Sequence, residues 1–300
     1  MHIPSDMLAG SICPVSAAVA AAGVAVSVFV LGKSKKALPS ASKFALVSAA
    51  VFGIQMLNYP IWNGISGHLI GGVFAAAVLG TPAAVLSLAL VLLLQTLLFA
   101  DGGILMLGAN IVNMSLLGAG AGGLIREYLL NKSFGSAKAT GIAAFCSVEL
   151  AVFALAAELL ASGKGSLSAF AALIGVHTVL AVLEGFATVL LVSSASERSG
   201  RPASNKSFFA LGTIIFASLM LAPFASAFPD AFEWTMGNFS MLPDAPNFVN
   251  APFADYTVSA ISHELASALA AGCIGVAATA VLAYAVFSAF RLLGKSEAGA

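Results

Sequence analysis

Leu69-Ile70-Gly71-Gly72-Val73-Phe74-Ala75-Ala76-Ala77-Val78-Leu79-Gly80-Thr81 is apolar almost throughout, yet too short to cross a bilayer as a regular helix. A helix rises 1.5 Å per residue, so ~30 Å of hydrocarbon needs about 20 residues. Whether this segment crosses decides the side on which every later loop falls. Basic residues gather on the cytoplasmic side of short loops. With the amino terminus outside and the segment crossing, Lys33, Lys35, Lys36, Lys43, Arg126, Lys132, Lys138, Arg198, Arg201, Lys206, Arg291 and Lys295 fall inside, and only Lys164 falls outside. Without the crossing, everything beyond residue 81 inverts and the separation is lost. The segment 69–81 is therefore read as a short or tilted helix that crosses.

Composition agrees with a chain built for lipid. Hydrophobic residues make up 60%, charged residues 9%, and the mean hydropathy is +1.00, which leaves too little polar surface for a soluble globule. Apolar stretches of spanning length are read at 13–31, 44–62, 82–100, 104–125, 140–161, 168–194, 208–227 and 259–290. The expectation is an all-α, multi-pass protein of the cell membrane, amino terminus outside and carboxyl terminus inside. Asp6, Asp101, Glu158, Asp230, Glu233, Asp244 and Asp255 then form a mildly acidic outer face that favours cations. The first apolar run follows no basic region and precedes Lys33 to Lys36, the order of an N-out anchor rather than a cleaved leader. Cys13, Cys146 and Cys273 lack C-x-x-C spacing and read as packing residues. No nucleic-acid partner is expected.

Met1-His2-Ile3-Pro4 carries the chemistry. The amine of Met1, the backbone nitrogen of His2 and the imidazole of His2 can close a three-nitrogen chelate on a transition metal, and Pro4 discourages helix from running on through it. An ion of the nickel or copper type often takes a square-planar fourth donor. The other histidines are His68, His177 and His263. His68 lies in a stretch broken by Pro60, Gly64 and Gly67, at the outer end of the second span, where it can face His2 across a re-entrant turn. Asn58, Asn63 and Ser66 are available to line that turn, as irregular backbone at membrane depth requires.

Several ordered stretches together resemble a known family: Met1 to Pro4, Gln55 to Pro60 with Ser66-Gly67-His68-Leu69, Gln95 to Gly103 with Leu107 to Met114, and Gly175-Val176-His177 through Glu184-Gly185. They are similar to the membrane substrate-binding component of cobalt/nickel energy-coupling-factor (ECF) transporters, the CbiM/NikM family, over about residues 1–196. Ser5-Asp6 departs from the Asp-Gly that commonly follows Ile-Pro there. The resemblance implies a seven-helix bundle with the amino terminus inserted into it, and Ni2+ or Co2+ as transported substrate. The ion is held by the Met1 amine, the backbone and side-chain nitrogens of His2, and His68. It also implies two partners, a transmembrane coupling protein (the T component) and a pair of cytoplasmic ATPases, and no cofactor in this chain. Residues 197–300 contain two further spans flanking Phe228-Pro229-Asp230-Ala231-Phe232-Glu233-Trp234. That loop is similar to the Pro-Asp-Gly-Leu-Glu segment of the small two-helix accessory component of the same transporters, so the chain resembles a fusion of the two.

The remaining polar residues have two readings each. Asn58, Ser66, Asn110, Asn113, His177 and Glu184 are candidates to orient or cover the ion, with Gln95 and Asp101 beside them, because ligating imidazoles need a second partner. Plain hydrogen bonding between helices serves equally. His177 and Glu184 are seven apart, hence on one helical face. His263-Glu264 has Ser267 where a zinc-protease helix needs histidine. Gly32-Lys33-Ser34 and Gly294-Lys295-Ser296 lack the first glycine of a nucleotide-binding loop, at Ser27 and Ala289, and read as helix ends; it is the resemblance that implies ATP hydrolysis in other subunits. Ala17-x3-Ala21, Ala18-x3-Ala22 and Gly118-x3-Gly122 permit close helix approach, within the chain or with a partner. Rival functions are a proton-coupled divalent-metal permease using acids such as Glu149 and Glu184, and a metal sensor through which nothing passes. Nickel and cobalt are not separated by the sequence. Loading should weaken below the ordinary imidazole pKa of ~6.5.

Overall fold

A computed structural model describes residues 1–34, 37–62, 64–195, 205–242 and 250–298. Lys35, Lys36, Asn63, Arg198, Arg201, Asp244 and the 196/197 boundary lie outside the described residues. The helices are α1 (Ile12–Gly32), α2 (Ala41–Gln55), α3 (Gly72–Leu79), α4 (Thr81–Phe99), α5 (Ile104–Asn131), α6 (Ser136–Ala161), α7 (Leu167–Ala195), α8 (Asn205–Leu221), α9 (Ala231–Asn238) and α10 (Glu264–Ala298). Among the described residues, seven are long and apolar enough to cross a membrane: α1, α4, α5, α6, α7, α8 with its extension to Phe224, and α10. The chain is a multi-pass, predominantly helical membrane protein.

The second span stops earlier than its hydropathy suggests. Residues 44–62 read as one helix, but α2 ends at Gln55, and Tyr59–Trp62 (β1) pairs antiparallel with Ile65–Gly67 (β2). Pro60 has no N–H to donate and biases Tyr59 to extended backbone, so the chain turns back as a hairpin. Hydropathy cannot see that switch.

The short segment returns the chain from one end of the molecule to the other. His68, before α3, and Asp101, after α4, both reach the amino-terminal residues. Helix α4 has 19 residues and so spans about 28 Å, which puts its start at the far end. Helix α3, with 8 residues, covers only about 12 Å. Unwound backbone at 68–71 makes up much of the rest.

That unwound stretch is satisfied by buried side chains, as lipid depth demands. Gln55 Nε2 donates to the Ile70 carbonyl at 2.7 Å, while the N–H groups of Ile70 and Gly71 donate to the two Glu184 oxygens at 2.8 and 2.9 Å. Helix α3 is buried among α4, α5, α6 and α7. Its first residue must be glycine, because a Cβ on Gly72 would stand 2.5 Å from the carbonyl carbon of Gly118. The Gly118-x3-Gly122 face thus packs inside the chain, against Ile70 and Val73, within a π-helical stretch of α5 at Ile111–Ala121.

Helices α8 and α10 lie against α2, with Phe44 and Phe287 stacked at 4.3 Å. The segment read as a loop at 228–234 instead starts α9. Asp230 accepts the N–H groups of Phe232 and Glu233, and Glu233 accepts the Asp230 N–H, which closes a capping box.

Candidate metal site

The amino terminus is a plug. Ile3 and Met7 are wholly buried, and apolar burial of that kind contributes ~1.5–3 kcal/mol per side chain. The Ile3 N–H donates to Asn110 Oδ1 at 2.8 Å, and the Ile3 carbonyl accepts from the Gly103 N–H at 2.9 Å. Gly103 permits this contact, since a Cβ there would fall 2.7 Å from Ser5 Cα. Lys164 Nζ ties down the Asp6 carbonyl further out.

So held, Met1, His2 and His68 converge. The Met1 amine lies 3.2 Å from His68 Nε2, and the rings of His2 and His68 stack at 5.1 Å. His68 Nδ1 is 3.1 Å from the Leu69 carbonyl. A carbonyl only accepts, so the proton sits on Nδ1 and Nε2 presents its lone pair to the amine. Burial, helped by the adjacent amine and by His2, pushes His68 down to about 3.

Two carboxylates hold the same donors. His2 Nδ1 stands 3.1 Å from Asp101 Oδ1, and the Met1 amine donates to Asp230 Oδ2 at 2.5 Å. Burial outweighs Asp101 and keeps His2 below the usual imidazole value. Burial alone would raise the Asp230 carboxyl, but the amine, with His68 and the amides at the start of α9, holds it well below the usual carboxylate range. Tyr256 donates to Asp101 Oδ2 at 2.6 Å, its own proton held high by burial and by that carboxylate. Gln95 Oε1 lies 3.3 Å from His2 Nε2. Ser66 fastens the α9 loop, its N–H donating to the Pro229 carbonyl and its hydroxyl to the Phe228 carbonyl.

The other candidates distribute unevenly. Asn110 touches the plug, and Ser66 touches the loop that carries Asp230. Asn113 does not reach the site; its Nδ2 donates to Glu158 on α6. Asn58 lines a separate cavity beside Tyr256, with its Oδ1 buried and unpartnered. His177 and Glu184 line a small cavity together with Met1 and His68, with no hydrogen bond between them. Asp230 and Tyr256 escaped the sequence reading as members of the site. The available signal for Asp230 was electrostatic: a buried amine needs an anion. Among the described residues no three imidazole, thiol or carboxylate side chains form a ready metal cluster, so an ion here would need the terminal and backbone nitrogens as well.

The family model of the cobalt uptake substrate-specific transmembrane region, CbiM, matches residues 2–200. The chain belongs to the CbiM family. A second model, the PDGLE domain, matches residues 205–292. The CbiM-family chain is 35% identical over 196 residues to a putative fused nickel transport protein NikMN of Archaeoglobus fulgidus, covering 64% of each. It is 38% identical over 152 residues to a putative metal transport protein of Haloquadratum walsbyi, covering 48% of this chain and 66% of that one. A probable fused nickel transport protein LarMN of Lactiplantibacillus plantarum is 38% identical over 118 residues, covering 39% of this chain and 36% of that one. The matched part thus spans less than two thirds of each of these relatives. Among solved structures, a truncated transition metal transporter is 33% identical with a TM-score of 0.58, covering 64% of this chain and 97% of that one.

Proposed function

We propose that this chain captures Ni2+ or Co2+ at the outer side of the cell membrane and serves as the substrate-binding component of an ECF-type uptake transporter. The ion is held by four nitrogens: the Met1 amine, the His2 backbone nitrogen, His2 Nδ1 and His68 Nε2. The reading rests above all on one observation, the Met1 amine 3.2 Å from His68 Nε2 with the His2 ring stacked alongside. Names of the relatives, nickel and metal transport proteins, agree with it.

Loading exchanges partners. The ion would displace Asp230 from the amine and Asp101 from His2 Nδ1; the Met1 ammonium and the His2 backbone amide would each release one proton to solvent, and the single proton of the His2 ring would move from Nδ1 to Nε2. The His2 proton then sits on Nε2, where Gln95 Oε1 at 3.3 Å accepts it, while His68 keeps its Nδ1–H on the Leu69 carbonyl. Each ligating ring so acquires an orienting acceptor. Residues 1–196 form the metal-binding part, and residues 197–300 an accessory part whose loop supplies Asp230. With the amino terminus outside and the carboxyl terminus inside, a separate T component and a pair of cytoplasmic ATPases drive release inward.

Metal content of purified protein tests the site. The native chain is expected to retain one Ni2+ or Co2+, whereas His2→Ala, His68→Ala and a chain extended by two residues before Met1 retain none. Retention by the extended chain would sink the chelate. Uptake by vesicles is expected only with the T component and ATPases present; uptake without them favours a proton-coupled permease.

A further inference from the structure

Tyr256 lies between α9 and α10, 155 positions beyond Asp101. It and Asp255 both hold left-handed backbone, with φ of 55° and 53°, which residues bearing a Cβ adopt only where their surroundings fix it. The surroundings here are specific. The Phe253 N–H donates to the Leu98 carbonyl on α4 at 2.9 Å, the Val258 N–H donates to Ser267 Oγ on α10 at 2.7 Å, and the Tyr256 ring stacks on Phe99 at 4.7 Å. The turn thus brings one phenol to one place.

At that place the hydroxyl joins the two side chains that face the two ring nitrogens of His2. Asp101 Oδ1 stands 3.1 Å from Nδ1, and Gln95 Oε1 stands 3.3 Å from Nε2. The Tyr256 hydroxyl donates to Asp101 Oδ2 at 2.6 Å and accepts from Gln95 Nε2 at 3.4 Å. The directions follow from the donor chemistry. An ionised carboxylate only accepts, so the single hydroxyl proton goes to Asp101; the phenol oxygen is left as an acceptor, which draws the amide nitrogen of Gln95 and turns its carbonyl oxygen to His2. An amide turned the other way would set two acceptors against each other at Tyr256 and an N–H donor against His2 Nε2. That donor calls for a lone pair on Nε2, which puts the ring proton on Nδ1, the nitrogen that the ion needs bare.

Given the four-nitrogen chelate proposed for Ni2+ or Co2+, we infer that Tyr256 is a positioning residue for loading: by holding the Gln95 amide in one orientation, it keeps the His2 proton on Nε2 when Nδ1 takes the ion. The stretch between α9 and α10 thereby acts on a ligand that it does not itself touch, through a side chain of α4.

Ni2+ titration of the full chain in lipid nanodiscs tests this with Tyr256→Phe, which keeps the ring against Phe99 and removes only the hydroxyl. Affinity is expected to fall about 10-fold or more, as when a ligand loses the control of its orienting partner. A lost packing contact would give the same fall whatever stands at position 95, whereas a lost amide orientation would not. In a Gln95→Glu background, where a carboxylate accepts whichever way it is turned, Tyr256→Phe is expected to cost no more than about 2-fold, the margin within which independent changes add. Native affinity in Tyr256→Phe, or the same fall in both backgrounds, overturns the inference. His2→Ala reads the chelate separately. Loss of tight binding there beside an unchanged Tyr256→Phe chain removes the positioning role alone, and native affinity in His2→Ala removes the chelate and the positioning role together.

Discussion

The Met1 amine lies 2.5 Å from Asp230 Oδ2, across 229 positions of sequence. This one contact closes the plug with a residue from the far part of the chain. The other oxygen of Asp230 caps α9, so helix start and plug share a single carboxylate. The arrangement gathers the proposed donor nitrogens and pairs the amine with Asp230 and His2 Nδ1 with Asp101.

Asp230→Asn isolates that pairing, because asparagine caps a helix about as well as aspartate. The metal-free chain should lose about 2 kcal/mol, less than for a pair fully withdrawn from water. The ion-loaded chain should lose much less, since its amine faces the metal instead. Thermal melts with and without Ni2+ measure the difference, and equal losses in the two states would count against it.

Acid should open the plug before it competes at the closed site. An exposed imidazole takes its proton near 6.5, the buried His68 only at about 3, so the open form binds more protons between those values. Stability of the closed form is complete above pH 6.5 and falls as pH drops through this window. At pH 5 the loss is about 2 kcal/mol. Hydrogen exchange of residues 1–8, corrected for its intrinsic pH dependence, should show less protection at pH 5 than at pH 7; unchanged protection would refute this.

Gln55→Leu should weaken metal binding without touching a ligand. The substitution keeps volume but strips the Ile70 carbonyl of its donor at 2.7 Å, leaving a buried acceptor unmade at a cost of about 1–3 kcal/mol. Ile70 is two residues from His68, so the strain is felt at the imidazole. A titration should show an affinity about 10-fold lower or worse; native affinity would mean that the unwound stretch does not hold His68.

Much of this was legible in the sequence, and the gaps have physical causes. Runs such as 82–100 announce themselves because lipid demands length and apolarity together, and α4 at Thr81–Phe99 differs by one residue at each end. The reading that 69–81 crosses rested on charge alone. The end of α2 at Gln55 did not, because hydropathy is blind to the missing N–H of Pro60. Within the candidate site, His2 and His68 drew attention as rare residue types beside breaks in helix. Asp230 did not, because nothing local marks an acid whose partner is 229 positions away. Asp230 and Glu233 did carry a readable signal, the three-residue spacing of a capping box, which gives the start of α9 but not the contact with Met1. Asn113 lies in the π stretch that begins at Ile111, where a helical face drawn from regular turns no longer applies, and it bonds Glu158.

Gln95 offers the sharpest separation of the two states. His2 Nδ1 faces Asp101 Oδ1 at 3.1 Å and Nε2 faces Gln95 Oε1 at 3.3 Å, both acceptors, so a neutral ring donates to only one of them, while Gln95 Nε2 donates to the Tyr256 hydroxyl at 3.4 Å. Once Nδ1 binds the ion, the ring proton is on Nε2 and Gln95 Oε1 is its acceptor. Gln95→Leu should lower the melting temperature of the chain without added metal by only about 2–4 °C, for about 1 kcal/mol lost with the Tyr256 bond, yet reduce affinity for Ni2+ by about 10- to 100-fold, the usual effect of removing a ligand's orienting partner. Gln95→Glu, which restores an acceptor at that place, should recover most of the loss. Equal affinity in the leucine variant, or a melting temperature that falls as far as the affinity does, would show that Gln95 packs the plug rather than orienting His2 on the metal.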